Sequence, residues 1–263
     1  MRSRMAREPF GHGSLSTGAA RLVSLAALFI LWTAASHLIG ERLCPGPIAV
    51  FGFVFRETLS GDLPWHLGIT LLRVSAAFVA AMVIGTAIGL AMGRIRAVDI
   101  VVEPWIILLL SAPALIVIVL AYLWIGLTET AAIVAVALNK IPNVAVTVRE
   151  GARTLDPAYG DVARVYRFSR RSLFFDVMLP QLQPYLAAAA RSGLALIWKI
   201  VLVVELLGRS NGVGFQVHLF FQMFDVRAIL GYTVAFVSVM LAIEFFLVQP
   251  LEAKAYRWRP RPA

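Results

Sequence analysis

The chain has 263 residues, of which 60% are hydrophobic and only 15% are charged, and its formal net charge is +9. This composition excludes an ordinary soluble globular domain, in which about a quarter of the residues are charged. In a soluble protein the positive charge would favour nucleic-acid binding. Here the basic residues alternate with long apolar segments, so the partner they indicate is a lipid bilayer and not a nucleic acid.

A membrane-spanning helix needs about 20 predominantly apolar residues. We therefore predict an all-α membrane protein with six transmembrane helices at residues 22–39, 74–93, 104–123, 131–148, 185–207 and 229–250. Basic residues concentrate in the stretches 1–21, 94–96, 149–171 and 254–261. Because cytoplasmic loops are enriched in Lys and Arg, we expect both termini and the loop 149–184 to be cytoplasmic. The predicted units are an N-terminal arm (1–20), a transmembrane domain (21–252) and a basic tail (253–263).

Between the first two spans, residues 40–73 form a long outer connection. We predict a helix on the membrane surface at 48–59, which Gly61 turns back towards the next span. Arg73 stands at the entrance to that span, where its long side chain could reach the headgroups. Within the span, glycines recur every four residues at 85, 89 and 93, a spacing that lets two helices approach closely in lipid.

Proline and polar residues interrupt the third and fourth spans. Ala112-Pro113-Ala114 breaks the third span, because proline lacks the N–H that a helix interior needs. The fourth span contains Asn139 and Lys140. An ionisable residue inside a membrane is costly, so Lys140 either extends to the interface or faces a polar path.

The polar loop that follows is predicted to contain two short helices. Asp156 and Pro157 are typical of an N-cap and a first-turn proline. Tyr159, Val162, Ala163 and Tyr166 then recur at the spacing of one helix face. Ser169 is a second candidate N-cap, followed by an apolar stripe of Leu173, Phe174 and Val177 before Pro180, which we expect to end that helix. An exposed apolar face on such a loop indicates a docking surface for a partner, with helices lying on lipid as the alternative.

The fifth span carries Trp198, Lys199 and Glu205. Trp198 and Glu205 are seven residues apart and share a face, whereas Lys199 and Glu205 lie on different faces and do not form a simple pair within the helix. Lys199 therefore faces either a polar path or a neighbouring subunit, or it serves only to fix helix packing.

In the polar loop and the fifth span the chain resembles the permease subunits of ABC importers, most closely those of the nitrate, sulfonate and taurine branch. Asp161-Val162-Ala163 stands where these permeases carry Glu-Ala-Ala, and Leu179-Pro180 stands at their Leu-Pro. The resemblance covers most of residues 65–250 and is strongest over 150–215. Further matching elements are Thr70-Leu71-Leu72-Arg73, Leu155-Asp156-Pro157, Ser169-Arg170-Arg171, Pro184-Tyr185, Trp198, Glu205 and Gly212-Val213-Gly214.

One position departs from the family pattern. Arg167 occupies the place of a glycine that would adopt a positive φ between the two short helices. A residue with a Cβ is strained by about 1 kcal/mol or more in that conformation. Either the turn is built differently here, or the docking surface is adapted to a particular partner.

The resemblance implies the type I ABC importer permease fold and a function in transport across a bacterial inner membrane. It also implies three protein partners: ABC ATPase subunits held by the cytoplasmic loop, a periplasmic or lipid-anchored solute-binding protein, and a second permease copy. The residues it assigns to ATPase coupling are Tyr159, Asp161, Val162, Ala163, Tyr166, Arg167, Ser169, Arg170, Leu173, Phe174, Leu179 and Pro180. The residues we assign to the translocation path are Pro113, Asn139, Trp198, Lys199 and Glu205, although Pro113 is equally consistent with a simple kink.

Several classes of function are not favoured. The sequence has no Walker nucleotide-binding loop, no cysteine and histidine pair at zinc spacing and no nucleophile motif, so we expect no catalysis, metal or cofactor in this chain itself. An ion-coupled secondary transporter or a non-transporting scaffold remains the alternative, but no internal repeat is evident. The transported solute stays open among nitrate, sulfonates, taurine, bicarbonate and vitamin precursors such as pyrimidines or flavins.

Overall fold

The structure is a computed structural model that describes residues 17–251. The predicted tail at 253–263 and all but the last residues of the predicted arm at 1–20 lie outside this range. Every regular element within the range is a helix. In chain order they are α1 (Thr17–Ile39), α2 (Pro47–Ser60), α3 (Asp62–Arg94), α4 (Arg96–Ser111), α5 (Ala114–Ile125), α6 (Glu129–Arg153), α7 (Pro157–Val165), α8 (Arg170–Ser172), a π-helical segment (Leu173–Met178), α9 (Leu179–Gly208), α10 (Val213–Gln222), α11 (Val226–Ile243) and a second π-helical segment (Glu244–Val248).

Five of the described helical stretches are long and apolar enough to cross a membrane, and the pair α4–α5 makes a sixth if it is counted as one span. The predicted third span, 104–123, is interrupted as expected, and the chain on the two sides of the break forms two helices bent by 100°. The break falls at Ala112 and Pro113, which both have extended backbones. Proline has no N–H to continue the helix and disfavours helical backbone in the residue before it.

Contacts at the two ends of the bent pair indicate that it crosses the bundle. At one end, Asp99 of α4 forms ion pairs with Arg149 and Arg153 near the end of α6, at 3.3 and 2.5 Å. At the other end, the carbonyl of Leu127, just after α5, accepts a hydrogen bond from Arg209. We call these the loop end, which adjoins residues 154–178, and the far end.

Two predicted outer connections contain more helix than expected. The region 62–73 belongs to α3, which begins directly after Gly61 (φ 90°) and is 33 residues long. A left-handed glycine ends α2 and lets α3 follow without a loop. The second connection, 208–227, contains the ten-residue helix α10. The helix predicted at 48–59 is confirmed by α2, and its position on the membrane surface stays a prediction.

The centre of the bundle is the contact of α3 with α6, and α9 packs on both. Gly85, Gly89 and Gly93 of α3 all face α6. A Cβ on Gly89 would lie 2.9 Å from the Cβ of Val148 and 3.1 Å from the Cα of Ala145. These distances are too short for ordinary contacts, so the glycine spacing brings the two backbones together as predicted.

We expect Gly89→Ala to lower the thermal stability of the detergent-purified protein, because α3 and α6 must separate to admit the methyl group. Overpacking of this kind costs about 1–3 kcal/mol. Gly68→Ala, on the same helix, is the matched control, since a Cβ there meets nothing within 4 Å. It should be neutral or slightly stabilising, because alanine favours helix over glycine. Equal melting temperatures for the two variants would contradict this account of the contact.

Candidate functional site

The loop between α6 and α9 begins with a capped helix. Asp156 accepts a hydrogen bond from the N–H of Ala158 at 2.9 Å, and α7 starts at Pro157. This confirms the predicted N-cap and first-turn proline. The hydroxyl of Thr154 lies 2.9 Å from that of Tyr185 on α9. The loop is therefore tied to α9 where it leaves α6.

The second half of the loop runs directly into a membrane-spanning helix. Ser169 accepts a hydrogen bond from the N–H of Ser172 at 3.1 Å, as predicted for an N-cap. The expectation that Pro180 ends this helix is wrong, because the chain stays helical from Arg170 through α9. The π-helical segment precedes the proline, and its last bond runs from the N–H of Leu179 to the carbonyl of Phe174. Such a widened turn accommodates a residue that lacks an N–H, and proline is also tolerated near the start of α9.

The loop presents apolar side chains that residues 17–251 leave uncovered. Tyr166 is 72% exposed and Val162 is 51% exposed. We call this set the loop surface; its members are Val162, Val165, Tyr166, Phe168 and Phe175. Of the other predicted coupling residues, Asp161, Ser169 and Pro180 are exposed, whereas Leu173, Phe174 and Leu179 are half-buried. The side chains of Tyr159, Ala163 and Arg170 lie outside the described part of the structure.

Arg167 adopts a positive φ of 51° between the two short helices. The turn thus has the left-handed backbone that a glycine at this position would take, and the alternative of a differently built turn is wrong. The side chain of Arg167 is exposed. Residues other than glycine are strained in this conformation, so the arginine carries a conformational cost.

We expect Arg167→Gly to relieve this strain and to stabilise the folded loop by up to about 1 kcal/mol. Hydrogen exchange of the amides in residues 157–172 measures the effect as slower exchange. Arg171→Gly is the control, because Arg171 lies in the helical turn α8 and its replacement removes a cation of the same loop without relieving strain. Faster exchange in the Arg167→Gly protein would contradict the prediction.

At the far end of the bundle, charged side chains meet in the interior. Glu205 of α9 is fully buried and accepts hydrogen bonds from Arg73 Nη1 at 2.7 Å and from the N–H of Gly214 at 2.8 Å. The hydroxyl of Thr70 lies 3.0 Å from the same carboxylate. Arg73 is also buried, so the proposal that its side chain extends to the headgroups is wrong. The carboxylate joins α3 and α9 to the start of α10.

A second carboxylate completes this arrangement. Glu129, at the start of α6, accepts two hydrogen bonds from Arg73, at 2.7 and 2.8 Å, and one from Arg209. The carbonyl of Asn211 accepts another from Arg73 at 2.8 Å. We call Arg73, Glu129, Glu205 and Arg209 the charge cluster. Its two cations and two anions balance; Arg73 and Glu205 are buried, where an unpaired charge would be costly, whereas the side chain of Glu129 is 49% exposed.

The predicted path residues fall into two groups. Trp198 is buried and packs edge-on against Phe236 at 5.7 Å between ring centroids, and Glu205 belongs to the charge cluster. Their geometry favours packing and ion pairing inside the chain. Pro113 and Lys199 are exposed, and Asn139 is partly buried and donates to the carbonyl of Ala135 at 2.9 Å. For these three, a position on the path stays a prediction.

Sequence reasoning did not single out Glu129, Arg209 or Asn211. They lie 56 to 138 residues from Arg73 along the chain, so no local pattern connects them. Chemistry alone could have predicted that partners exist: an arginine buried in a membrane protein needs acidic side chains close to it. It could not have predicted which acidic residues these are.

Residues 81–249 match the family described as binding-protein-dependent transport system inner membrane component. Curated relatives include the putative aliphatic sulfonates transport permease protein of Bacillus subtilis, 28% identical over 89% of this chain and 85% of the relative. The taurine transport system permease protein of Escherichia coli is also 28% identical, over 89% and 86%. The nitrate import permease protein of Synechocystis is 27% identical, over 73% of each chain.

Solved structures with the same fold are also transporter chains. One comes from an amino acid ABC transporter, with a TM-score of 0.61, 18% identity and coverage of 77% of this chain and 98% of that one. Another comes from a methionine ABC transporter in an inward-facing conformation, with a TM-score of 0.55, 20% identity and coverage of 69% and 92%. At these identities the likeness establishes the fold. None of the matches supports a secondary transporter or a scaffold.

Proposed function

Since this chain belongs to the family of binding-protein-dependent transport system inner membrane components, the permease subunits of ABC importers, we propose that two copies of it form the membrane path of a bacterial inner-membrane importer. The loop end faces the cytoplasm and the far end faces the periplasm. The family's members are permeases and not catalysts, so ATP is hydrolysed on partner chains. ATP binding and hydrolysis there drive the path between inward-facing and outward-facing states.

We propose that the ATPase subunits dock on the loop surface, because its apolar side chains are exposed. Val165 and Tyr166 are more than two-thirds exposed, and large apolar side chains at the centre of an exposed surface are typical anchors of protein interfaces. The same surface could lie on lipid, but three features favour a protein groove. The helices are capped at defined residues, the turn between them has one defined, left-handed conformation at Arg167, and the loop continues into α9 without a flexible linker.

The proposed solute is a small anion. The curated relatives are named for aliphatic sulfonates, taurine and nitrate, and each of these compounds carries at least one anionic group. A periplasmic or lipid-anchored binding protein delivers the solute to the far end. Lys199 is exposed on α9 and is one of the residues that the sequence analysis assigns to the path. Its positive charge suits an anionic solute.

The test is to co-express the tagged chain with the genes next to its own and to identify what copurifies by mass spectrometry. The purified complex is then placed in proteoliposomes with the binding protein. We expect a copurified ATPase, and uptake of an anionic solute that requires ATP hydrolysis. A panel of nitrate, taurine, methanesulfonate and bicarbonate, with a neutral sugar as the control, identifies the solute class. Uptake driven by an ion gradient without any ATPase would refute the proposal.

A further inference from the structure

Lys140 is a buried cation at the middle of α6. Only 2% of the residue is exposed, so of the two alternatives for Lys140 the one in which its side chain reaches the membrane interface is wrong. Among the described residues, 17–251, no side chain or carbonyl forms a hydrogen bond or an ion pair with it. This differs from Arg73, whose charge is matched by two carboxylates. A charge buried in a membrane protein without a counter-ion is unfavourable unless something else neutralises it.

The chain makes room for this lysine on the neighbouring helix. A Cβ on Gly193 of α9 would lie 2.8 Å from Cε of Lys140 and 3.7 Å from its Nζ. Any larger residue at 193 would displace the lysine side chain. The lysine side chain therefore lies at the contact of α6 with α9, and Ser192, the residue before Gly193, is exposed.

Polar groups continue on both helices around this point. On α6, Asn139, Asn143 and Thr147 recur every four residues, are partly buried and each donate to a carbonyl of their own helix. An amide NH₂ has a second N–H after such a bond, which suits an acceptor on a ligand. On α9, Lys199 lies seven residues after Ser192, on the same exposed face. Partly buried polar side chains therefore flank Lys140 along α6.

From this geometry we propose that Lys140 is an anion-binding residue, which holds an oxyanion such as a sulfonate or nitrate group between α6 and α9. The inference rests on the proposed function and assigns its solute site. The anion supplies the negative charge that no residue of the described chain provides, and the amide of Asn143, one turn further along α6, contributes a further hydrogen bond. Lys199 acts as a second, exposed cation nearer the far end.

The test measures thermal unfolding of the detergent-purified chain while nitrate or methanesulfonate replaces chloride at constant ionic strength. We expect a saturable rise of the melting temperature in the wild type. Lys140→Met, of similar length but uncharged, should weaken the apparent affinity by about tenfold or more, because a charge-assisted hydrogen bond is lost. It should also raise the melting temperature without the anion. Arg56→Met, which removes an exposed cation of α2 outside the proposed site, is the control and should keep the saturable response.

The assay uses the permease alone, so it separates a failure of this site from a failure of the proposed function. Transport with the assembled importer is the second readout. There Lys140→Met should raise the KM for the anion and Lys140→Arg, which keeps the charge, should recover part of the uptake. An unchanged anion response in Lys140→Met, or no response in the wild type, would overturn the assignment.

Discussion

Replacing Val162 or Tyr166 with aspartate is expected to abolish copurification of the ATPase and ATP-driven uptake, while the permease itself still folds. Both side chains belong to the loop surface and are exposed, so their replacement removes little from the chain's own core. In the complex, each aspartate would have to enter an apolar groove without a partner. Such a change at a central contact costs at least about 2 kcal/mol, or roughly 30-fold in affinity.

Ile95→Asp is the matched control for these variants. Ile95 is 52% exposed, against 51% for Val162, and lies between α3 and α4 at the same end of the bundle but outside the loop. The aspartate is tolerated there, because residue 95 is the N-cap of α4, a position that favours this side chain. Pull-down yield, normalised to the amount of folded permease, is the measurement. If Ile95→Asp reduced the yield as strongly as Val162→Asp, the loop surface would not be the specific docking site.

Arg73→Met is expected to lower the stability of the permease by about 3–5 kcal/mol, because it leaves the carboxylate of Glu205 buried and without its cation. For a chain of this size the loss corresponds to roughly 10 °C in melting temperature. Thermal unfolding in detergent, followed by tryptophan fluorescence, measures it. The effect should appear without any partner protein, since the charge cluster lies within one chain.

A double-mutant cycle tests whether the cost comes from the unpaired charge. Combining Arg73→Met with Glu205→Gln should cost less than the sum of the two single changes, by about 1 kcal/mol or more. Arg153→Met is the external control. Its ion pair with Asp99 is also short, at 2.5 Å, but Arg153 is 40% exposed and such pairs contribute about 0–1 kcal/mol. Strict additivity of the Arg73 and Glu205 changes would disprove the direct pairing as the source of stability.

Features that depend on neighbours in sequence were predictable. Hydropathy located the membrane-spanning helices, the residue types at Asp156 and Ser169 identified their capping bonds, and the four-residue glycine spacing identified the face of α3 that meets α6. In each case the relevant interaction is within a few residues or follows from helical periodicity. The same holds for the interruption at Pro113.

Features that depend on tertiary contacts were not predictable. The expectation that a proline ends a helix was wrong at Pro180, because the π-helical turn before it accommodates a residue that has no N–H to donate. The reach of a long cationic side chain suggested that Arg73 and Lys140 extend to the interface, but both are buried. For Arg73 the deciding partners, Glu129 and Glu205, come from distant parts of the chain. Lys140 can be buried because Gly193, on another helix, has no side chain and leaves space for the lysine.

The uninterrupted helix from Leu173 to Gly208 joins the loop to the charge cluster. Its 36 residues extend over about 50 Å, with Phe175 of the loop surface near one end and Glu205 near the other. Because one continuous helix links the two regions, we expect that a defect in the loop can be compensated by a change near the charge cluster. Selection for restored growth on the solute, starting from a weakened loop variant, should yield second-site suppressors near Glu205 and Gly214, and these should work only in combination with the original defect.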